Sequence, residues 1–364
     1  MRVLVLGAGG PAGWNFAHAL GADRDIEVIG ADVDPIMLEL AATNETLVLP
    51  PVTSRPAALL NHIIRSRSID VVHAQPDAEV RWLAEHDHEI GAATLLPSLD
   101  AIDICADKLA TALALGRELA PRSYGASAAA LDRLGGEAWM RLRSGAGSMG
   151  ALPVRSHAVM NAWIEHWHHE RGVTAAEWML AEILPGRDLS WTGVFVDGEL
   201  QASATKERMR LMGAERSPAN VASTATVQRI VRRPDVHTRC CDAVQLIDTA
   251  ANGVWMIDLR EDHAGRPRIT EINCGRFGTT SLFWHETRRL RWSLPRLYVE
   301  LAAGGRLDGA PVVDACQTGA MWLRQPDMGC ILKGARAGAA RRDVVAELIR
   351  DLQPQGLESL RDGV

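Results

Sequence analysis

The sequence lacks several features that mark whole classes of protein. Acidic residues outnumber basic ones by 45 to 39, so no positive surplus attracts nucleic acid or an anionic membrane surface. No run approaches the ~18 uninterrupted apolar residues of a membrane span. The first residues have the pattern of a strand, without the basic flank, apolar core and cleavage site of a signal peptide. These absences predict a soluble, cytoplasmic protein with no nucleic-acid or membrane partner.

Cysteine and lysine are both scarce. The six cysteines show no CxxC spacing and no histidines at zinc-finger distances, which indicates free thiols in a reducing compartment. Of the 39 basic residues only Lys108, Lys206 and Lys333 are lysines. Each lysine can therefore be considered individually as a candidate for a specific role.

Short β-branched runs and helical patterns alternate through the first hundred residues. The predicted strands cover residues 2–6, 27–31, 46–49, 70–74 and 94–96. The predicted helices cover residues 11–20, 35–42, 55–67 and 78–90. This alternation predicts a parallel α/β sheet, and the unit is expected to close near residue 105.

After residue 105 the pattern becomes α+β, with turns that predict antiparallel hairpins. Helices are predicted at 106–119, 156–171 and 237–249, from about 281 and near 341–352. Strands are predicted at 138–142, 178–184, 189–196, 200–204, 222–231, 254–259, 268–271 and near 319–323. We therefore expect four parts, at residues 1–105, 106–183, 184–305 and 306–364, the last a C-terminal closing segment.

A glycine-rich turn, GAGGPAG from Gly7 to Gly13, follows the first strand and opens a helix. Backbone N–H groups in this setting can receive a phosphate, and Asp32 could contact a ribose, as in dinucleotide-binding dehydrogenases. Glycines are also needed there simply to turn tightly and to let the helix pack on the sheet. We favour this structural interpretation and keep an NAD(P)-dependent oxidoreductase as an alternative.

Three oxygen-bearing residues, Asp258, Glu271 and Asn273, fall on two successive predicted strands joined by a tight turn. Pairing of these strands would set the side chains next to one another. Two carboxylates and an amide oxygen suit Mg²⁺, which proteins commonly hold by one or two carboxylates while phosphate oxygens complete the octahedron. Arg276 follows where it could meet the same phosphates. The sequence therefore predicts a magnesium site that also binds phosphate.

Two further groups of side chains have less specific patterns. His166 and His169 share one helix face without a clearly placed third ligand, and Trp163 and Trp167 have the spacing of a packing stripe, so a surface helix is expected. Asp77 follows the fourth strand, at the edge where α/β sheets tend to bind ligands. We treat Asp77 as a weak candidate for a substrate site.

Taken in order, these motifs resemble the ATP-grasp superfamily, in particular the carbamoyl-phosphate synthase large subunit and the carboxylate–amine ligases. The resemblance spans nearly the whole chain. The opening MRVLVLGAGGPAGWNF resembles the α/β domain that precedes the ATP-grasp fold. Asp107-Lys108-Leu109 resembles a helix start whose basic residue reaches phosphate. The segment MRLRSGAGSMG resembles a strand that is followed by a flexible phosphate-binding loop. Residues 182–188, EILPGRD, resemble the hinge strand that receives adenine, and the three residues of the predicted magnesium site match the family's metal ligands.

The resemblance implies a fold and a set of site residues. The fold would be an N-terminal parallel Rossmann-like domain followed by an ATP-grasp fold of two α+β subdomains. Lys108, Arg141 and Arg276 would be the catalytic cations, although the family often has lysine where Arg141 stands and one residue fewer before Arg276. The nucleotide would contact Lys108, Arg141, Ser144, Gly145, Gly147, Ser148, Glu182, Ile183, Leu184 and Asp188. The weaker substrate candidates, besides Asp77, are Lys206, Arg208 and Arg260.

The implied activity is an ATP-dependent ligase that joins a small carboxylate and a small amine through an acyl phosphate. Its cofactors would be ATP and Mg²⁺, with Mn²⁺ as an alternative ion, and a homodimer is compatible with the family. Phosphorylation of bicarbonate or carbamate, as in carbamoyl-phosphate synthase, is the alternative within the family. The chain has only one recognisable ATP-grasp unit, so we prefer the self-contained ligase.

Overall fold

A computed structural model describes residues 1–278, 293–306, 312–324 and 331–333, apart from residues 146, 218, 221 and 223. The predicted helices from about 281 and near 341–352 lie outside the described residues, as does most of the segment 306–364. The described strands form three sheets, one parallel and two antiparallel. None of the described helices has the length and apolar composition that crossing a membrane requires.

The parallel sheet belongs to the first hundred residues, as predicted. Its strands β1 (Arg2–Leu6), β2 (Glu27–Asp32), β3 (Glu45–Val48) and β4 (Val71–Ala74) lie in the order β3-β2-β1-β4. The helices are α1 (Pro11–Leu20), α2 (Pro35–Leu38), α3 (Ala57–Arg67) and α4 (Asp77–Glu85). Pro11 and Pro35 stand in first turns, where a missing N–H has no intrahelical partner to lose. The strand order reverses between β1 and β4.

Residues 94–96 were predicted as a fifth strand, and this prediction is wrong. Only Ala93 forms a bridge, to Val71. The carbonyl of Leu95 instead accepts a hydrogen bond from the Tyr298 hydroxyl at 3.0 Å. The segment is therefore held by a distant part of the chain rather than by the sheet.

A small antiparallel sheet follows α5 (Leu99–Ala106) and α6 (Lys108–Leu119). Its strands β5 (Ser123–Gly125), β6 (Ala138–Leu142), β7 (Leu152–Val154) and β8 (Trp178–Ala181) lie in the order β5-β8-β6-β7. Helices α7 (Ala128–Arg133) and α8 (His157–Arg171) share a separate core with it, which includes Met140 and Trp178. Helix α6 begins at Lys108 because the Asp107 carboxylate accepts hydrogen bonds from two backbone N–H groups of the first turn.

The large antiparallel sheet has the order β13-β12-β9-β10-β11-β14-β15. Its strands are β9 (Asp188–Val196), β10 (Glu199–Leu211), β11 (Ala225–Val231), β12 (Gly253–Glu261), β13 (Pro267–Cys274), β14 (Met321–Leu323) and β15 (Ile331–Lys333). Asp197 and Gly198 both have positive φ, 49° and 82°, as a two-residue hairpin turn requires, so the predicted β9–β10 hairpin is confirmed. Strand β10 runs to Leu211, well beyond the predicted end at residue 204.

The parallel sheet and the large sheet share buried side chains. One core cluster contains Leu4 and Leu6 of β1 together with Trp255 and Ile257 of β12, and it also takes in α9 (Pro234–Ile247). A second cluster joins Phe16 of α1 to helix α10 (Leu294–Ala302). The small sheet, with its own core, stands apart from both, so a cleft can form between it and the large sheet.

Candidate functional site

A cavity of about 760 Å³ lies between the small sheet and the large sheet. A smaller chamber of about 70 Å³ shares Trp139, Arg141 and Glu271 with it. Of the predicted site residues, the cavity is lined by Arg141, Gly147, Ser148, Glu182, Ile183, Leu184, Asp188, Lys206, Arg208, Asp258, Arg260, Glu271, Asn273 and Arg276. The chamber adds Lys108, Ser144 and Gly145. Pro11 and Ala12 of the first motif line the cavity as well. Residues from all five motifs thus meet at one place, and their roles stay predictions.

The predicted metal ligands share one face of the β12–β13 hairpin. Asp258 and Glu271 are directly opposite in the register, and Asn273 is opposite Met256, two residues away on the same face. The predicted juxtaposition of the three side chains is therefore confirmed. Among the described residues no group of three or more His, Cys, Asp or Glu side chains could hold a metal, so the candidate set is two carboxylates and one amide.

The oxygens of Asp258 fit a hard cation. Oδ2 accepts a hydrogen bond from Arg208 at 3.0 Å, whereas Oδ1 is buried with no hydrogen-bond partner among the described residues. Arg208 also donates to Asp188 at 2.7 Å and so ties two carboxylates together. Burial raises the pKa of Asp188, and the Arg208 charge opposes this rise. A buried carboxylate oxygen without a partner is what a bound Mg²⁺ would satisfy.

Two cations, buried Lys108 and half-buried Arg141, face Glu271. Lys108 Nζ lies 3.7 Å from Glu271 Oε1 and donates to the Gly145 carbonyl at 2.6 Å. Arg141 donates to the Thr270 carbonyl at 2.6 Å, and its Nε is buried without a partner among the described residues. Burial lowers the pKa of both groups, and the Glu271 carboxylate opposes this shift. The cations are therefore placed to neutralise negative charge that gathers over the β12–β13 hairpin.

The glycine-rich loop after β6 is fixed at both ends. Lys108 holds Gly145 at one end, and at the other end the Trp163 indole donates to the Gly150 carbonyl at 2.9 Å. Trp163 also packs against the core of the small sheet, as predicted for its stripe. Gly145, Gly147 and Gly150 all have positive φ, which leaves backbone amides in orientations that other residues rarely allow.

The hinge after β8 forms one wall of the cavity. Glu182, Ile183, Leu184 and Pro185 line it. Trp139, Ala181 and Leu259 are among the apolar residues that also line the cavity. Glu182 lies 3.4 Å from Arg122, so part of its charge is already compensated. Flat apolar walls with a few polar groups suit a heterocyclic base.

Arg276 reaches the metal set despite the additional residue that precedes it. It donates to the Asn273 side-chain oxygen and to Asp77 Oδ1, the latter at 2.5 Å. Asp77 does not itself line the cavity, so the structure places it as a partner of Arg276 rather than as a group that touches a substrate. Arg260 lines the cavity and donates to the Gly186 carbonyl at 3.2 Å.

The glycine turn is closed around its own chain. Asp32 accepts a hydrogen bond from the Gly9 amide at 3.0 Å and from the two amides that follow it, so its oxygens are occupied. A Cβ on Gly9 would lie 2.8 Å from the Met37 backbone, and one on Gly13 would lie 2.1 Å from the Gly7 carbonyl. These contacts agree with the structural interpretation, in which the glycines and Asp32 hold the turn against its own chain.

Sequence reasoning missed several lining residues. Ser190, Gln228 and Arg324 come from β9, from β11 and from the residue after β14, and Trp139 comes from β6. No motif contains them. They line the cavity because alternate side chains of a strand lie on the same face of the sheet, and the strands that pair there are far apart in sequence. The single available signal was polar residues at inward-facing positions of apolar strands.

No protein-family model matches this sequence, and no curated protein matches it either. Solved structures do match it. The biotin carboxylase domain dimer of Hydrogenobacter thermophilus 2-oxoglutarate carboxylase, in complex with MgADP, ADP and bicarbonate, is 12% identical with a TM-score of 0.65 and covers 89% of this chain and 74% of its own.

Two further structures give similar values. N5-carboxyaminoimidazole synthetase from Staphylococcus aureus, in complex with ADP, is 13% identical with a TM-score of 0.63, over 88% of this chain and 81% of its own. L-Amino acid ligase from Bacillus licheniformis is 12% identical with a TM-score of 0.62, and the match covers 88% of this chain and 78% of the ligase chain. The fold shared with these structures is the ATP-grasp fold, which confirms the predicted fold class.

Proposed function

We propose that this protein is an ATP-dependent ligase that joins a small carboxylate to a small amine through an acyl phosphate. The observation that carries the proposal is the Asp258–Glu271 pair, set opposite one another on β12 and β13 and faced by Lys108 and Arg141. Similar structures that contain ADP or MgADP support a nucleotide in the same fold.

Asp258, Glu271 and Asn273 would hold the metal ion. When bound, Mg²⁺ would supply positive charge beside the phosphate groups, and Mn²⁺ could use the same oxygen ligands. Lys108, Arg141 and Arg276 neutralise charge on the transferring phosphoryl group, and the limited exposure of Lys108 and Arg141 to solvent strengthens this effect.

The remaining predicted residues position the nucleotide. Glu182, Ile183 and Leu184 line the hinge end of the cavity, and Asp188 orients the ribose. Ser144, Gly145, Gly147 and Ser148 offer the loop backbone to the phosphates and exclude water from a reactive intermediate.

The reaction has two steps. A substrate carboxylate oxygen attacks the γ-phosphorus while the bond to ADP breaks, which gives an acyl phosphate. The amine nitrogen then attacks the acyl carbon, inorganic phosphate leaves with the bonding electron pair, and the ammonium proton is lost to form the amide. This sequence needs no covalent enzyme intermediate.

Hydroxylamine replaces the unknown amine in the test of this proposal. The protein is incubated with Mg·ATP, hydroxylamine and a panel of acetate, succinate and the standard amino acids, and hydroxamate and ADP are measured. We expect hydroxamate with at least one acid, and a loss of about a hundredfold in Glu271→Gln. Glu199→Gln, which changes an exposed carboxylate at the start of β10, is the matched control.

Two results would contradict the ligase. One is wild-type hydroxamate formation in Glu271→Gln. The other is the absence of both hydroxamate and ADP with every acid, despite Mg·ATP binding, which would indicate a nucleotide-binding module without catalysis.

Bicarbonate is a second candidate acceptor, because the similar biotin carboxylase domain contains bicarbonate. Bicarbonate-dependent ADP release in the absence of any organic acid would favour it. Three expectations from the sequence remain predictions. They are a homodimer, a cytoplasmic location and domain boundaries near residues 105, 183 and 305.

A further inference from the structure

A row of side chains crosses the large sheet on its cavity side. Glu271, Asp258, Ser190 and Lys206 are direct neighbours in register on β13, β12, β9 and β10. Neighbouring strands lie about 4.8 Å apart, so Ser190 is one strand from the candidate metal carboxylate and Lys206 is two. The row leads from the metal set across the sheet to Lys206, and all four residues line the cavity.

Two buried polar side chains in this region are incompletely paired. Ser190 Oγ and Gln228 Oε1 have no hydrogen-bond partner among the described residues, and both residues line the cavity. Ser190 is 1% exposed and Gln228 is 2% exposed, so bulk water does not satisfy them. Buried polar groups are normally paired, so these two point to a bound molecule.

The charge of the region favours an anion. Lys206 is buried, and both Lys206 and Arg324 line the cavity. The nearby carboxylates Asp188 and Asp258 are both tied to Arg208, and the charge of Asp258 also favours the ammonium form of Lys206. Burial lowers the pKa of Lys206 to about 8, so the ammonium form is still present at neutral pH. A carboxylate entering beside Ser190 would meet a cation on one side and a hydroxyl donor on the other.

We propose that Ser190, Lys206 and Gln228 form the subsite for the phosphoryl-accepting substrate, a small carboxylic acid with a second polar group that pairs with the Gln228 amide. This inference rests on the proposed function. Ser190 and Lys206 hold the carboxylate next to the metal set, and Gln228, which is opposite Arg208 in the register, selects the rest of the molecule.

Binding without turnover tests the subsite. Thermal stability is measured with Mg²⁺ and the non-hydrolysable ATP analogue AMP-PNP, with and without each acid of the panel. We expect one or more acids to add stabilisation in the wild type. In Ser190→Ala and Gln228→Leu the apparent dissociation constant of that acid should rise about tenfold, with AMP-PNP affinity unchanged within about twofold.

Thr205→Val is the matched control. Thr205 Oγ1 is also buried without a partner among the described residues, but Thr205 is not a lining residue of the cavity. Its replacement removes the same kind of group and should leave acid binding unchanged. An equal effect in Thr205→Val and Ser190→Ala would therefore overturn the assignment.

The remaining outcomes separate this inference from the proposed function. If no acid stabilises the wild type in the presence of Mg·AMP-PNP, the subsite is wrong. If an acid stabilises the protein through Ser190 and Gln228 but no hydroxamate forms with ATP, the subsite stands and the ligase activity fails. Weaker AMP-PNP binding in Ser190→Ala would instead assign the hydroxyl to the nucleotide.

Discussion

Arg208 is the residue on which the electrostatics of the site depend. It bridges Asp188 and Asp258, and all three side chains are less than a fifth exposed. Removing one partner of a buried ion pair leaves the other charges uncompensated. We expect Arg208→Met to lower the free energy of unfolding by about 3 to 5 kcal/mol, measured by urea denaturation.

A surface pair controls for the loss of an arginine. Arg216 lies 3.9 Å from Glu215, and both side chains are largely exposed. Arg216→Met should change stability by less than about 1 kcal/mol. Adding Asp188→Asn to Arg208→Met should recover part of the loss, and no recovery would show that Arg208 acts through packing instead of charge.

His73 makes stability depend on pH. It is fully buried against Phe16 and Tyr298, and burial lowers its pKa from 6.5 to about 3. Between these values the unfolded chain binds a proton that the folded protein does not, so stability falls as pH is lowered through this window. The slope from this group is about 1.4 kcal/mol per pH unit.

The His73→Leu variant isolates this contribution. We expect its free energy of unfolding to decrease less steeply than that of the wild type between pH 6.5 and pH 4, whatever its stability at pH 7. Urea denaturation at several pH values gives both slopes. Parallel slopes would mean that His73 is protonated in the folded protein.

Residues with a chemical signature could be predicted from the sequence, and residues without one could not. Asp258, Glu271 and Asn273 were found because carboxylates and an amide at hairpin spacing suggest a metal. Ser190 and Gln228 also line the cavity, but a serine or a glutamine in a strand does not by itself indicate a binding site. Their position follows from the pairing of β9 with β12 and of β11 with β10, which local sequence does not encode.

At the scale of elements, Gly150 joins the glycine-rich loop to the small sheet. Its φ is +70°, and an added Cβ would lie 2.8 Å from the Trp178 ring and 3.2 Å from that of Trp167. Gly172, at the end of α8, has nearly the same φ of +69° with open space around it. The two glycines therefore share backbone strain and differ in packing.

Alanine substitutions at these two glycines should separate the two costs. Gly172→Ala should destabilise the protein by about 1 to 2 kcal/mol through strain alone. Gly150→Ala should lose about 1 to 3 kcal/mol more, because Trp178 is buried and cannot move freely. Equal losses of unfolding free energy in the two variants, measured by urea denaturation, would show that the rings of Trp178 and Trp167 move to accommodate the added methyl group.

Elements with a clear period were predictable, while their ends depended on distant contacts. Residues 2–6, 11–20 and 138–142 match their observed elements at both ends. Strand β10 was predicted too short because its second half, with Lys206 and Arg208, carries charged side chains on the cavity face. Charged residues in a strand imply an exposed surface unless a cavity accounts for them.

At the scale of the whole molecule, the small sheet has a core of its own while the other two sheets share theirs. Fewer buried contacts with the rest of the protein should allow it to open first. We expect amides of β6 and β8 to exchange with deuterium faster than those of β9 and β12, measured by mass spectrometry.

A nucleotide in the cavity would contact both sheets, so Mg·ATP should slow exchange in β6 and β8 more than in β1 and β2. Exchange at one common rate in all three sheets would show that the chain opens as a single unit. Protection confined to the large sheet would place the ligand away from Trp139 and Arg141.

The Arg208 bridge also affects whether the protein needs a metal ion in order to fold. Neighbouring carboxylates without a cation between them repel one another. A metal site built only from such groups can therefore need its ion in order to fold. Here the guanidinium acts as a resident counter-ion for Asp258. We therefore expect the protein to fold in the absence of divalent ions, so that a chelator leaves it folded even if the proposed activity requires Mg²⁺.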